Sequence, residues 1–371
     1  MRVILLGAGA SKEAGYPLAK KLMPAIKREA AGSNFLNLKT AWDTWAEFVR
    51  GQTGVLALLL NDPNPEVVLS ALDLCAAATD AEGLGCFREE HADEALSQVL
   101  SDGQIPHDWW KSRAHEDLWR AEEARNRFVD CLLWFFRFKH HEDALPKNRK
   151  RRDYLRDLLA KLDGGDVVVT LNWDTTVERT LAEEGRWNPL TGYGFEKDLQ
   201  TGRPDALEAL PAGLSKKSEI IVLKLHGSLG WHDSHGTIYF SNEYFLTEFD
   251  FHYNQRRLAL LDPANPSFGP DYSPVLAYPS FLKQLRGPQM QRVWHLATEA
   301  FRQAQEINIW GYSLPESDMA MRTLLNPLRF RLGEHQVQVF VHEPYDGEVR
   351  SRWLEFLGNE ARIDRLGLGA L

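Results

Sequence analysis

Four stretches place chemically capable side chains where apolar runs end. In "VILLGAGAS", residues Gly7, Ala8, Gly9, Ala10 and Ser11 follow a hydrophobic run directly, with Gly15 and Pro17 soon after. Glycines between a strand and a helix leave backbone amides open to a phosphate. In "TLNWD", Asn172 and Asp174 lie two apart in an extended segment, so both side chains can reach one face. In "KLHGS", His226 offers an imidazole beside the unobstructed backbone of Gly227, and imidazole is suited to taking a proton near neutral pH. In "IWGYSLPESD", Gly311, Tyr312 and Ser313 follow another apolar run, and Pro315 and Asp318 introduce a helix. That makes a second turn able to face a phosphate or a ribose.

Each stretch also has a plainer reading. The first glycine turn can serve strand–helix packing alone. Asn172 and Asp174 can cap the helix that follows them. A lone histidine is more often structural than catalytic. The last turn can be an ordinary capped helix start.

Other chemistries fit poorly. The dinucleotide loop of hydride-transfer enzymes reads GxGxxG, and its third glycine would fall at Lys12. No ribose-binding acid ends a second strand. His226, His232 and His235 lack a standard metal-site spacing and any cysteine or acidic helper, so no metal is expected. The three cysteines, Cys75, Cys86 and Cys131, form no CxxC pair, and an odd total argues against a disulfide framework. Net charge is -9, so no global positive field recruits nucleic acid or anionic membrane. The basic cluster "KNRKRR", Lys147 to Arg152, reads as capping or solvating a helix, with a partner contact as the alternative. Apolar runs such as "VLALLL" are far too short to span a membrane, and strand residues from Arg2 leave no room for a signal peptide. A cytoplasmic protein is expected.

The elements that must position these residues are legible. Val3 to Leu6 is a short apolar run of the buried parallel type, and similar runs recur at 166–171, 219–225, 306–312 and 336–342. Helical stretches follow most of them, the first opened by Pro17 and running to about Glu29. Strands alternating with helices predict an α/β fold, a Rossmann-like doubly wound parallel sheet. Between the first two strands the periodicity is helical: Trp42, Trp45, Phe48 and Val49 share one face, as do Phe128, Cys131, Leu132, Phe135 and Phe138. Residues 34–162 are therefore expected to form a large helical insertion within a single domain, 1–371. Residues 185–217 read as a long loop of the kind that serves as a lid or binding segment. There is no internal repeat or low-complexity tract.

Taken in order, GAGAS with AGYP, then TLNWD, KLHGS and GYSLPESD resemble the sirtuin-like family, specifically its bacterial anti-phage defence branch lacking the zinc module. The stretch from Tyr278 to Asp318 is especially similar to that branch. The resemblance spans residue 3 to about 345, and the helical insertion matches only in being helical. It implies that NAD is the substrate. Gly7 to Ser11 would line the pyrophosphate, with Gly15 and Pro17 shaping the loop. Asn172 and Asp174 would lie near the nicotinamide ribose, and His226 would be the catalytic histidine. Gly311, Tyr312 and Ser313, with Asp318 opening the next helix, would face the adenosine half. His342 and Glu343 would mark the adenine side. Asn172 and His226 are expected to stand exposed in a crevice, and Gly9 to leave the space a pyrophosphate takes.

The resemblance implies an NAD hydrolase that depletes NAD in anti-phage defence by abortive infection, with water as acceptor. The absence of a four-cysteine zinc module weighs against the alternative, a protein deacylase or ADP-ribosyltransferase. A non-catalytic NAD- or ADP-ribose-binding subunit is the other alternative. Because the chain carries no appended sensor, a homo-oligomer controlled by a partner is expected. Resembling systems use a HerA-like ATPase or a short Argonaute.

Overall fold

The computed structural model describes residues 1–12, 14–32, 36–51, 65, 68–69, 128–129, 131–136, 138–140, 142, 150–189, 191–194, 217–234, 237–240, 273–276, 288–316, 318–342, 347–358 and 362–364. Glu343, His235, Cys75, Cys86, Lys147 to Arg149 and most of the expected loop at 185–217 lie outside the described residues. The side chain of His232 does too.

Six strands form one parallel sheet: β1 (Arg2–Leu6), β2 (Val167–Thr170), β3 (Ile221–Lys224), β7 (Glu306–Trp310), β8 (Gln338–His342) and β9 (Arg362–Asp364). Three more, β4 (Gly227–Ser234), β5 (Thr237–Phe240) and β6 (Ser273–Leu276), make a small antiparallel sheet in the order β5-β4-β6. In the large sheet the order is β3-β2-β1-β7-β8-β9, and every neighbouring pair is parallel. Counted along the chain within that sheet, the order is 3-2-1-4-5-6, the Rossmann-like order, with its switch point between β1 and β7. The protein is α/β, and all five apolar runs of the sequence are strands of this sheet.

Contacts divide the chain into two compact units. One comprises Met1–Leu18, Lys139–Ala277 and Lys283–Leu371, and the other Ala19–Phe138 with Tyr278–Leu282. The first holds both sheets, α3 (Asp153–Ala160), α4 (Thr176–Glu183), α5 (Pro288–Gln303), α6 (Met319–Leu325), α7 (Pro327–Gly333) and α8 (Gly347–Leu357). Its core is built on strands with nothing polar to hide: Val3, Leu5, Leu6, Val168, Val169, Val222 and Ile307 are each at most 1% exposed for that reason. Apolar faces of the helices join it through residues such as Leu159, Leu181, Val293, Ala297, Leu325 and Trp353.

The second unit holds α1 (Ala19–Gly32) and α2 (Leu36–Arg50), which pack together. The first helix begins at Ala19 rather than at Pro17, and runs on past Glu29 with Pro24 inside it. On α2 the expected face is realised by Trp45 and Val49, both buried, and Trp45 packs on Phe128 at 4.9 Å between ring centroids. Phe128, Cys131, Leu132 and Phe135 are fully buried on described helical residues, so that face also reads as core. Among the described residues, no helix is long and apolar enough to cross a membrane.

Candidate functional site at the strand ends

One register line crosses the large sheet at its carboxyl edge. Lys224, Thr170, Leu6, Trp310, His342 and Asp364 are successive partners across the six strands. Gly7 to Ser11, Asn172, Asp174, His226, Gly311 to Ser313 and His342 lie on this line or at most five residues beyond it in the chain, whereas Gly15, Pro17 and Asp318 lie farther along. Asn172 and His226 each follow a paired residue by two, Thr170 and Lys224, so they occupy equivalent positions past adjacent strands. Open α/β sheets place ligands outside this edge, at the switch point.

The two turns flanking that switch point interlock. Gly7 donates to the Trp310 carbonyl and Gly9 to the Gly311 carbonyl, both at 2.9 Å. Residues Ala8–Ser11 then form a 3-10 turn. A Cβ on Gly7 would stand 2.6 Å from Gly311 O, and one on Gly9 would stand 2.7 Å from Gly311 Cα. Gly311 itself has φ +63, and a Cβ there would stand 2.5 Å from the Gly9 carbonyl carbon. Each glycine is therefore required by the backbone of the opposite turn. This corrects the expectation for Gly9, whose side-chain space is taken by Gly311. Within the turn Ala8 is exposed, while Ala10 and Ser11 are buried. Gly15, at φ +96, lies beyond it near the Arg151 guanidinium, and Pro17 is half-buried.

Asn172 is tied to the first turn. Its Nδ2 donates to Gly7 O and to Ser11 Oγ, each at 2.9 Å, while its own amide donates to Thr170 Oγ1. At 8% and 6% exposure, Asn172 and His226 are buried, against the expectation that both stand exposed. The cause for Asn172 is visible: the amide closes the gap between β2 and the glycine turn. Asp174 is also buried, and its Oδ1 accepts the Thr176 amide at 3.0 Å in a short turn leading into α4, whose N-cap is Thr175. His226 follows Leu225, whose carbonyl accepts Trp294 Nε1 from α5 and whose amide donates to Thr170 O, which fixes the backbone there.

The second turn is braced by hydrogen bonds of its own. Asp318 caps α6 through Met321 N and accepts the Tyr312 hydroxyl at 2.9 Å. Tyr312 is buried, and its carbonyl accepts Trp353 Nε1 from α8. Arg322 donates to the carbonyls of Leu314 and Pro315. So Tyr312 and Asp318 hold the turn's shape, and Ser313, next to Tyr312, is exposed. At the end of β8, His342 stacks on Trp310 at 4.0 Å and donates from Nε2 to Asn308 Oδ1.

Beneath Asn172 and His226 lies a network that the motif reading missed. Lys224 Nζ sits 2.8 Å from Glu178 Oε1, and neither side chain is exposed. The same ammonium donates to the Asp174 carbonyl, and the Tyr193 hydroxyl donates to Glu178 Oε1 at 3.0 Å. Burial pushes the Glu178 carboxyl above its usual range, and the Lys224 charge pulls it part of the way back. Burial and then the Glu178 charge drive the Tyr193 phenol well up. A sequence signal existed: Lys224 ends an otherwise apolar strand run, and lysine is almost never fully buried without a partner. Among the described residues, no group of three or more His, Cys, Asp or Glu side chains could hold a metal.

No family model matches the chain, and no curated protein matches it.

Proposed function

We propose that this protein is a sirtuin-like NAD hydrolase, cutting the bond between nicotinamide and ribose to release nicotinamide and ADP-ribose. The observation that carries the reading is the single register line that gathers GAGAS, TLNWD, KLHGS and GYSLPESD at the carboxyl edge of a 3-2-1-4-5-6 sheet. Two glycine turns at the switch point suit a dinucleotide pyrophosphate. Asn172 and His226 past the adjacent strands suit the nicotinamide ribose.

The chemistry asks for these residue types. The C1′–N bond breaks and nicotinamide leaves neutral from a cationic pyridinium, so no general acid is needed. Positive charge grows on the ribose as in a glycosidase, and the Asp174 carboxylate lowers its energy electrostatically. Water oxygen bonds to C1′, and His226 takes the proton released. In a cell such activity would serve as an NAD-depleting defence, restrained by self-association or by a partner such as a HerA-like ATPase or a short Argonaute.

The second reading, a non-catalytic nucleotide-binding module, is favoured by one observation. The Asn172 amide and one Asp174 oxygen are already engaged by the protein itself. Incubation with NAD followed by chromatography separates the two. Nicotinamide release, reduced about 10²-fold or more in kcat by His226→Ala, supports the hydrolase. Measurable binding with NAD left intact supports the module, and wild-type turnover by folded His226→Ala protein removes His226 from the mechanism.

A further inference from the structure

We infer that the buried Lys224–Glu178–Tyr193 network is the positioning element of the strand-end site, holding the segments that carry Asn172, Asp174 and His226 in one arrangement. The inference rests on the reading of those three as the site's working groups.

The geometry ties the segments at close quarters. Lys224 is the last residue of β3, two before His226, and its ammonium holds both the Glu178 carboxylate and the Asp174 carbonyl. Glu178 stands in the first turn of α4, four residues after Asp174. Its Oε1 also takes the Tyr193 hydroxyl, whose ring stands edge-on to Trp187 and to Trp231, each 4.9 Å away between centroids. Trp231 belongs to β4, which begins directly after His226. Thus one carboxylate joins the segment after β2, the end of β3 and, through Tyr193, the strand after His226.

Stability gives no reason for a charged pair here, because well-packed apolar side chains of similar volume do as well or better. Fixed geometry does give one. A fully buried charge that loses its partner is strongly penalised, so the pair admits one spacing between the two segments. Misplacement of a reacting group by about 1 Å costs on the order of 10²-fold in rate, which is the sensitivity such a tie protects.

The test uses two variants of the full chain. Lys224→Met/Glu178→Leu removes both charges and keeps the volume, whereas Tyr193→Phe removes one donor. The double variant is expected to fold with a lowered Tm, because the buried Asp174 carbonyl and Tyr193 hydroxyl lose their partners. Its KM should stay within about twofold, while kcat measured well below that Tm falls about 10²-fold. Tyr193→Phe should lower kcat roughly five-fold. A second readout needs no turnover: the ring-nitrogen NMR signals of His226, assigned by their loss in His226→Gln, should shift in both variants. A folded double variant with unchanged kcat and unchanged His226 signals overturns the inference, as does a kcat that returns to wild type at temperatures well below the variant's Tm. If the double variant fails to fold, Tyr193→Phe decides by the same two measurements. If wild-type protein releases no nicotinamide yet the His226 signals move, the positioning role stands and the cleavage reading falls.

Discussion

Replacing Gly311 by alanine tests the interlock at the switch point with a magnitude that can be worked out beforehand. Gly311 combines two penalties, a φ of +63 and a Cβ that would meet the Gly9 backbone at 2.5 and 2.7 Å. Gly165 carries only the first, with φ +92 and nothing within 4 Å of its Cβ position. The left-handed conformation costs an alanine about 1–2 kcal/mol. Forcing an extra carbon into packed backbone costs about 1–3 kcal/mol more. Rotamer change cannot relieve it, because the opposing atoms are main chain. Gly165→Ala should therefore lose about 1–2 kcal/mol and Gly311→Ala roughly 2–5 kcal/mol. Urea unfolding followed by tryptophan fluorescence reads the difference. At an m-value of about 3 kcal/mol/M, the Gly311→Ala midpoint should fall roughly 0.3–1 M below that of Gly165→Ala. Gly9→Ala, with the clash and no unusual φ, should lie near the overpacking cost alone. Equal midpoints for Gly311→Ala and Gly165→Ala would refute the reasoning, since the turns would then have room between them.

Ala8 is the exposed position of the first turn, so Ala8→Glu should weaken ADP-ribose binding at least ten-fold by calorimetry while the urea midpoint stays put; equal affinity would remove the phosphate from this turn. Asp166 gives a pH-dependent prediction, because burial opposes its ionisation but the Arg2 and Asp163 amides and the Arg2 guanidinium outweigh burial and hold its carboxyl below the usual range. A lowered folded pKa contributes stability above the unfolded value of about 3.9 and loses it as pH falls through the folded one. Asp166→Asn should thus lose on the order of 1–3 kcal/mol at pH 7, and the gap to wild type should close below about pH 4; a gap constant down to pH 2 would contradict this.

The sheet was legible because its strands advertise themselves: five apolar runs, each ending in glycine or polar residues, had to be buried and parallel. β9 was not, since Arg362, Ile363 and Asp364 at the sheet's edge carry no such run. The site was legible as positions more than as contacts. Spacing said that Asn172 and Asp174 follow a strand; it could not say that the Asn172 amide would be drawn 2.9 Å from Gly7 O and Ser11 Oγ. That contact joins residues 165 positions apart and depends on the register of β1 with β2, which no local pattern encodes. The glycines show the same limit. A glycine after a strand signals close approach, yet Gly7 and Gly9 are approached by Gly311, from the turn after a strand that follows some three hundred residues later and pairs directly with β1.

The Lys224–Glu178 pair marks where motif reading and physics part. Lys224 opens "KLHGS" and Glu178 follows the end of "TLNWD" by four residues, but in these stretches the histidine, the amide and the aspartate are the types that do chemistry. Burial reverses that weighting. A charged side chain at zero exposure demands an equally buried partner, and two such residues in separate motifs of a parallel sheet are natural partners for each other. The residues that look catalytic tell which strand ends matter. The residues that are merely charged and misplaced, a lysine closing an apolar strand and a glutamate on a buried first turn, tell how those ends are held together.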